Sequence, residues 1–371
     1  MGENTKIQWA DHTASFWEGC TKISAGCAHC YAESFEKRVG NDVWGKLKPR
    51  KWTKGGPALI RKLNKKAKAA GRVDTVFVND LADFFEEFDG PIVDHNGERV
   101  ATCQNACGLR CVPQALLVSC KCTKCDDELR WLTINDLREE AFSLFDECQN
   151  LIFMLLTKRP ENIRRMTPRR LPEGRKCCSC SSELEYLPNE EGWYCRARCQ
   201  PANLELNREC GGYWYRSNVM LGTSVENQEQ AKKRINVLVE CRDLAPVLFL
   251  SCEPLLGPVD LDEYLTSPCC NGTISECGCD GERGGRAIDW VIVGGESGHN
   301  ARPCRATWIS DIVMQCESES VPVFVKQLGS NAEEGYGCHR KLNLRDKKGG
   351  DMSEWPEDLR VRILPESAPR I

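Results

Sequence analysis

Six short runs of β-branched and aliphatic residues punctuate the chain: 75–79 (TVFVN), 151–157 (LIFMLLT), 219–224 (VMLGTS), 247–251 (VLFLS), 290–294 (WVIVG) and 321–326 (VPVFVK). Each is apolar on both faces, the pattern of strands buried on both sides of a parallel sheet. Between them lie segments with helical periodicity, among them 134–147 (INDLREEAFSLFDE), 227–239 (NQEQAKKRINVLV) and 307–317 (TWISDIVMQCE). The alternation predicts an α/β fold built as a partial or complete parallel β/α barrel. Every run leads into polar groups: Asn79 and Asp80, Lys158 and Arg159, Ser224 and Glu226, Ser251 and Glu253, Gly295 and Glu296, Lys326 and Gln327. The carboxyl ends of parallel strands share one face, and that face carries the active site in such folds.

Three segments break the alternation, at about 90–130, 176–213 and 266–287, where apolar periodicity gives way to Cys, Gly and charge. They read as cysteine-rich modules inserted in a single barrel domain, 1–339, and stapled by metal because they have little core of their own. A polar tail, 340–371, follows, expected to be loose except near Trp355.

The 371 residues contain 25 cysteines, and these change the picture most. A disulfide scaffold suits a small secreted chain. Here the chain is long, and its first residues lack the basic-then-apolar order of an export signal. The expectation is a cytoplasmic protein whose reduced thiolates bind metal. No apolar stretch is long enough for a membrane span. Cys148, Cys241, Cys252, Cys304 and Cys316 stand singly in apolar or mixed stretches and read as small buried hydrophobes.

In the insertions, close pairs predict structural zinc. The candidate ligands are Cys107, Cys111, Cys122 and Cys125; then Cys177, Cys180, Cys195 and Cys199; then Cys269, Cys270, Cys277 and Cys279. Two close pairs joined by a loop is a zinc-ribbon arrangement. Auxiliary iron–sulfur clusters and shared sites are the alternatives. The formal charge is −4, yet residues 46–72 hold eleven Lys or Arg and no acid. That basic stretch, with Trp52 inside it, is a candidate contact for nucleic acid or a nucleotide; a solvated helix face over 57–70 is the bland alternative.

The first cysteines, Cys20, Cys27 and Cys30, lie in WEGCTKISAGCAHCYAE. Three thiolates are one short of a closed zinc site but suit a 4Fe–4S cluster with one open iron; His29 is the alternative fourth ligand for zinc. This segment resembles the signature of a phage-associated three-cysteine-motif, radical-SAM-like family of unknown function. TVFVNDLADFF, LLTKRPENIRRM, LGTSVENQEQAKKRI, FLSCEPLLGPVDL, IDWVIVGGESGHNARP and VPVFVKQLG resemble its successive blocks in order. The resemblance implies a radical S-adenosylmethionine enzyme with a cluster on Cys20, Cys27 and Cys30, S-adenosylmethionine as cofactor and an electron donor as partner; the zinc-ribbon pairs beside the basic stretch favour a nucleic acid or nucleobase-like substrate. Six residues separate Cys20 from Cys27, a longer gap than the commonest superfamily spacing. VGGESG is similar to the Gly-Gly-Glu that contacts the methionine amine in such enzymes, which makes Gly294, Gly295 and Glu296 candidate cofactor ligands beside Asn79, Asp80, Ser224 and Glu226. Lys158, Arg159 and Glu253 are the candidate catalytic residues. The competing reading is a non-catalytic, zinc-dependent nucleic-acid-binding protein.

Overall fold

A computed structural model describes residues 2–103, 110–112, 121–125, 128–168, 216–265, 287–335 and 338–365, together with the backbone of 184–187 and 192–195. Its centre is a seven-stranded, all-parallel sheet curled into a half-barrel. The strands are β1 (His12–Ala14), β2 (Asp74–Val78), β3 (Leu151–Thr157), β4 (Val219–Ser224), β5 (Val247–Cys252), β6 (Trp290–Gly294) and β7 (Val323–Gln327), neighbours in chain order. The main helices are α1 (Tyr31–Arg38), α2 (Gly56–Ala69), α3 (Ile134–Glu147), α4 (Gln228–Val239) and α5 (Ala306–Ser318).

Alternation along each strand sorts its side chains between two cores. Val76, Phe153, Leu155, Leu221, Leu248, Leu250, Val291 and Val323 face the helices and pack with Leu137, Ile235 and Ile309. Phe77, Ile152, Met154, Met220, Phe249, Trp290 and Phe324 fill the concave side with Trp9. Trp9 lies 4.7 Å from Phe77 and Trp290 6.3 Å from Phe324, measured between ring centroids. Gly222 makes room for this plug, since a Cβ there would sit 2.4 Å from the Phe249 ring. This apolar plug fills the concave side beneath the carboxyl ends of the strands.

Local chemistry starts the helices where the sequence pattern placed them. The α3 terminus is a capping box: Thr133 accepts from Asp136 N–H, and Asp136 accepts from Thr133 N–H. Asn227 accepts from Gln230 N–H at 3.0 Å to cap α4. The strand predicted over 321–326 begins two residues later, after Pro322, which has no N–H for the ladder.

The segment expected as a loose tail packs against the sheet well beyond Trp355. Val325 N–H donates to Val361 O, and Ile363 N–H to Val323 O, both at 2.9 Å, so 361–363 lie along the outer edge of β7. Trp355 is 2% exposed. Its Nε1 donates to Gly349 O at 3.0 Å. In the first insertion, three antiparallel strands (Ala101–Cys103, Arg110–Cys111 and Leu129–Trp131) form a small sheet ahead of α3. In the second, Leu184–Leu187 pairs with Gly192–Cys195 as a hairpin. Among the described residues, no helix is long and apolar enough to cross a membrane.

Candidate metal and ligand site at the barrel mouth

After β1 the chain runs over the carboxyl face of the sheet as a loop carrying the first cysteines. Cys27 ends a short turn (Ala25–Cys27), and Cys30 is the residue before α1. Cys20, Cys27 and Cys30 all line one cavity of about 140 Å³, with Asn79, Asp80, Lys158, Arg159 and Ser224. A second cavity of about 660 Å³ adjoins it, sharing Gly26, Cys30, Tyr31, Phe77, Lys158 and Ser224. Its walls add Trp9, His29, Glu253, Glu296, Lys326 and Gln327, and, from the C-terminal segment, Asp346, Lys348 and Asp351. The strand ends thus meet the cysteine loop.

What most of those strand-end charges do is hold the loop. Arg159 donates to Asp83 at 2.8 Å and to Thr21 O at 2.7 Å, and its guanidinium stands 3.8 Å from Cys20 Sγ. Glu226 accepts from Gly26 N–H at 3.1 Å and pairs with Arg234 at 2.9 Å. Glu296 accepts from His29 Nδ1 at 3.1 Å and from Arg302, which itself donates to Ala25 O at 2.8 Å. Glu86, 1% exposed, accepts from Thr21 N–H at 2.8 Å and takes both Nε and Nη2 of the fully buried Arg50. Asp83, Glu86 and Arg302 went unmarked in the sequence, and Arg50 was read only as part of the basic stretch; the three acids inside the aromatic run LADFFEEF were the available signal.

Other expected ligand residues also have structural duties. Asn79 adopts a left-handed φ of 57° and accepts from Phe16 N–H at 2.8 Å. Asp80 accepts from Ser15 Oγ at 2.9 Å. Gly294 and Gly295 line neither cavity; a Cβ on Gly295 would lie 2.1 Å from Leu328 O, so close backbone packing explains the glycine there. Glu226 is likewise outside both linings, turned to the loop backbone. Glu253 faces the larger cavity in an ion pair with Lys326 at 2.6 Å, and Lys158 donates to Ser224 Oγ at 3.2 Å.

Burial pushes the Cys20 thiol well up, reinforced by Glu86 and Asp83 and opposed by Arg159; a thiolate there needs a cation beside it. Burial alone would raise Glu226 and Glu296. Hydrogen bonds from Ser24 and Gly26 to the first, and from Arg302 to the second, hold both below the ordinary carboxylate range. Asp80 is pushed up by burial.

A family model described as "Protein of unknown function (DUF5131)" matches residues 4–103 and 124–356, the mouth loop and all seven strands included. The chain belongs to the DUF5131 family. No curated protein and no solved structure matches it. The DUF5131 match breaks across 104–123, inside the first cysteine-rich insertion.

At that break lies a second thiol group. Cys103, Cys122 and Cys125 bring their sulfurs within 4.8 Å of one another, close enough to hold a metal ion. Cys122 and Cys125 were expected as ligands; Cys103 was not, because spacing alone favoured the close pair Cys107 and Cys111. Cys111 lies on the adjacent strand and packs against this group. Cys107 lies outside the described residues, as do Cys177, Cys180, Cys199, Cys269, Cys270, Cys277, Cys279 and the side chain of Cys195. The five singletons Cys148, Cys241, Cys252, Cys304 and Cys316 are buried, as expected.

The basic stretch is largely neutralised from within. Lys48 pairs with Asp42, Arg50 with Glu86, Lys51 with Glu18, Arg61 with Glu147, Lys62 and Lys66 with Glu3, and Arg72 with Asp74. Trp52 is partly buried with Arg110 over its ring at 5.4 Å.

Proposed function

We propose that this DUF5131 protein is a radical S-adenosylmethionine-type iron–sulfur enzyme acting on a nucleic acid or nucleobase-like substrate. The observation that carries the reading is the opening of three thiols from one loop into a cavity at the carboxyl ends of a parallel half-barrel. A single zinc ion at about 2.3 Å from each thiolate holds its sulfurs about 3.8 Å apart. Among the described residues, Cys103, Cys122 and Cys125 are the cysteines whose three sulfurs all lie within 4.8 Å of one another. Cys20, Cys27 and Cys30 stand wider, which suits a group larger than one ion.

Cys20, Cys27 and Cys30 hold the cluster in this reading. With its cofactor, it supplies one-electron reductive chemistry, given an external electron donor. Arg159 offsets the negative charge of the Cys20 thiolate. Glu253 and Lys326 present a carboxylate and an ammonium side by side to the larger cavity, a matched pair for an amino acid's ammonium and carboxylate. Lys158 stands in the walls of both cavities, placed to meet an anionic group. Phe77 and Trp9 supply an apolar wall against which a purine or pyrimidine ring can lie. The loop clamps keep these parts in register.

Anaerobic purification tests the reading. The wild type should carry iron and sulfide with absorbance near about 400 nm, as iron–sulfur chromophores show, and Cys27→Ser should lose both while staying folded. Glu253→Gln should bind S-adenosylmethionine at least about tenfold more weakly, the loss of one charged hydrogen bond. Colourless wild-type protein carrying only zinc would favour the zinc-dependent binding protein instead. The converging thiols of the insertion support that second reading, and the internally paired basic stretch speaks against its nucleic-acid half.

A further inference from the structure

We infer that the first insertion is closed by a structural zinc ion on Cys103, Cys122 and Cys125, with Cys111 as fourth ligand. Cys103 Sγ and Cys125 Sγ are 3.3 Å apart, near the edge length of a tetrahedral zinc–thiolate site and far beyond the roughly 2.05 Å of a disulfide bond. Cys122 and Cys125 bracket the turn Cys-Thr-Lys-Cys. There Lys124 N–H points back at Cys122 Sγ at 3.4 Å. A backbone donor aimed at sulfur favours the thiolate, and such contacts orient metal ligands in a knuckle. An isolated bridge between Lys121 and Glu128 closes the base of that turn.

The fourth position follows from strand register. Ala101 lies opposite Cys111, and Cys103 opposite Leu129. Side chains two apart on a strand share a face, so Cys103 and Cys111 point the same way. Cys111 accordingly packs with Ala101, Cys103, Cys122 and Leu129. Three thiols within 4.8 Å of one another, with a fourth on the same face of the adjacent strand, make the all-sulfur donor set of structural zinc. Two ligands, Cys111 and Cys122, lie in the stretch outside the DUF5131 match, and the other two flank it. The ion therefore ties the strands Ala101–Cys103 and Arg110–Cys111 to the turn at Cys122–Cys125.

Native alkylation with peptide mass spectrometry tests the site in the wild-type protein. Cys125 is exposed, so burial cannot protect it. Cys103, Cys111, Cys122 and Cys125 should resist alkylation together and become reactive together after a zinc chelator. Zinc content should fall by one equivalent per chain in Cys122→Ser and in Cys103→Ser, and stay unchanged in Cys241→Ala. Cys125→His should keep the equivalent by exchanging sulfur for nitrogen. Free alkylation of Cys125 before chelation would overturn the proposal. So would chelator-independent protection of Cys103 and Cys125 alone, which marks a disulfide. One equivalent of iron lost in place of zinc would overturn the metal assignment.

Discussion

Cys20, Cys27 and Cys30 lie on one loop and stand apart around a cavity, whereas Cys103, Cys122 and Cys125 come from a strand and a turn and converge within 4.8 Å. Each group has the same donor atoms. They differ in what fixes them. The mouth loop is pinned by charges reaching in from other elements, the buried Arg159, Glu226 and Glu86 and the half-buried Arg302. The insertion has a small apolar cluster of Ala101, Cys103, Cys122 and Leu129 and is tied to α3 by an ion pair of Arg110 with Glu140 at 2.8 Å. A loop held by the protein can leave its thiols facing an open space, ready for a reactive group. A module with little core must turn its thiols inward and draw its order from the ion itself.

The comparison breaks most decisively at Glu86. Replacing it by Ala leaves the buried Arg50 guanidinium without its carboxylate partner, with only neutral acceptors such as Thr21 Oγ1 and Val43 O left, which should cost about 3–5 kcal/mol in urea unfolding and release Thr21 beside Cys20. Wild-type stability in that variant would mean the clamp is not what orders the loop. A smaller change acts inside the loop. Gly26→Ala puts a methyl 2.9 Å from the Glu226 carboxylate, so it should cost about 1–3 kcal/mol and lower iron occupancy while zinc stays constant.

For the insertion, zinc removal should speed amide exchange at 101–103 and 129–131 and leave β3 to β6 protected, because the barrel has its own two cores. Collapse of the barrel on chelation would show that the two regions are not independent. The smallest effect is at the junction of insertion and α3. Thr133→Ala removes the cap and should cost about 1 kcal/mol. Burial would raise Asp136, but hydrogen bonds from Arg130 and Thr133 hold its pKa below the usual aspartate value. Its contribution is therefore complete above about pH 4. It is lost as pH falls through the lower folded value, and Asp136→Asn should flatten that acid slope in thermal melts.

Six of the seven barrel strands were legible because each is a run of apolar residues buried on both faces. β1, with the sequence HTA, is too short and too polar to show a period, and its place at the edge comes from pairing with β2. The mouth cysteines were legible from spacing. The duties of Arg159, Glu226 and Glu296 were not, because their partners Asp83, Gly26 and Arg302 are fixed by topology, mostly at long sequence separation. Cys103 was missed for a similar reason. A ligand that stands alone on a strand gives no spacing signal until the strand is paired.

The segment along β7 has a consequence for how the chain is made. Its residues 346–351 wall the larger cavity, and 361–363 cover the edge of the last barrel strand. A ribosome delivers them after all seven strands. During synthesis the sheet stands with a bare hydrogen-bonding rim on β7, which invites pairing with another nascent chain. The larger cavity gains its last wall in the same late step that covers that rim.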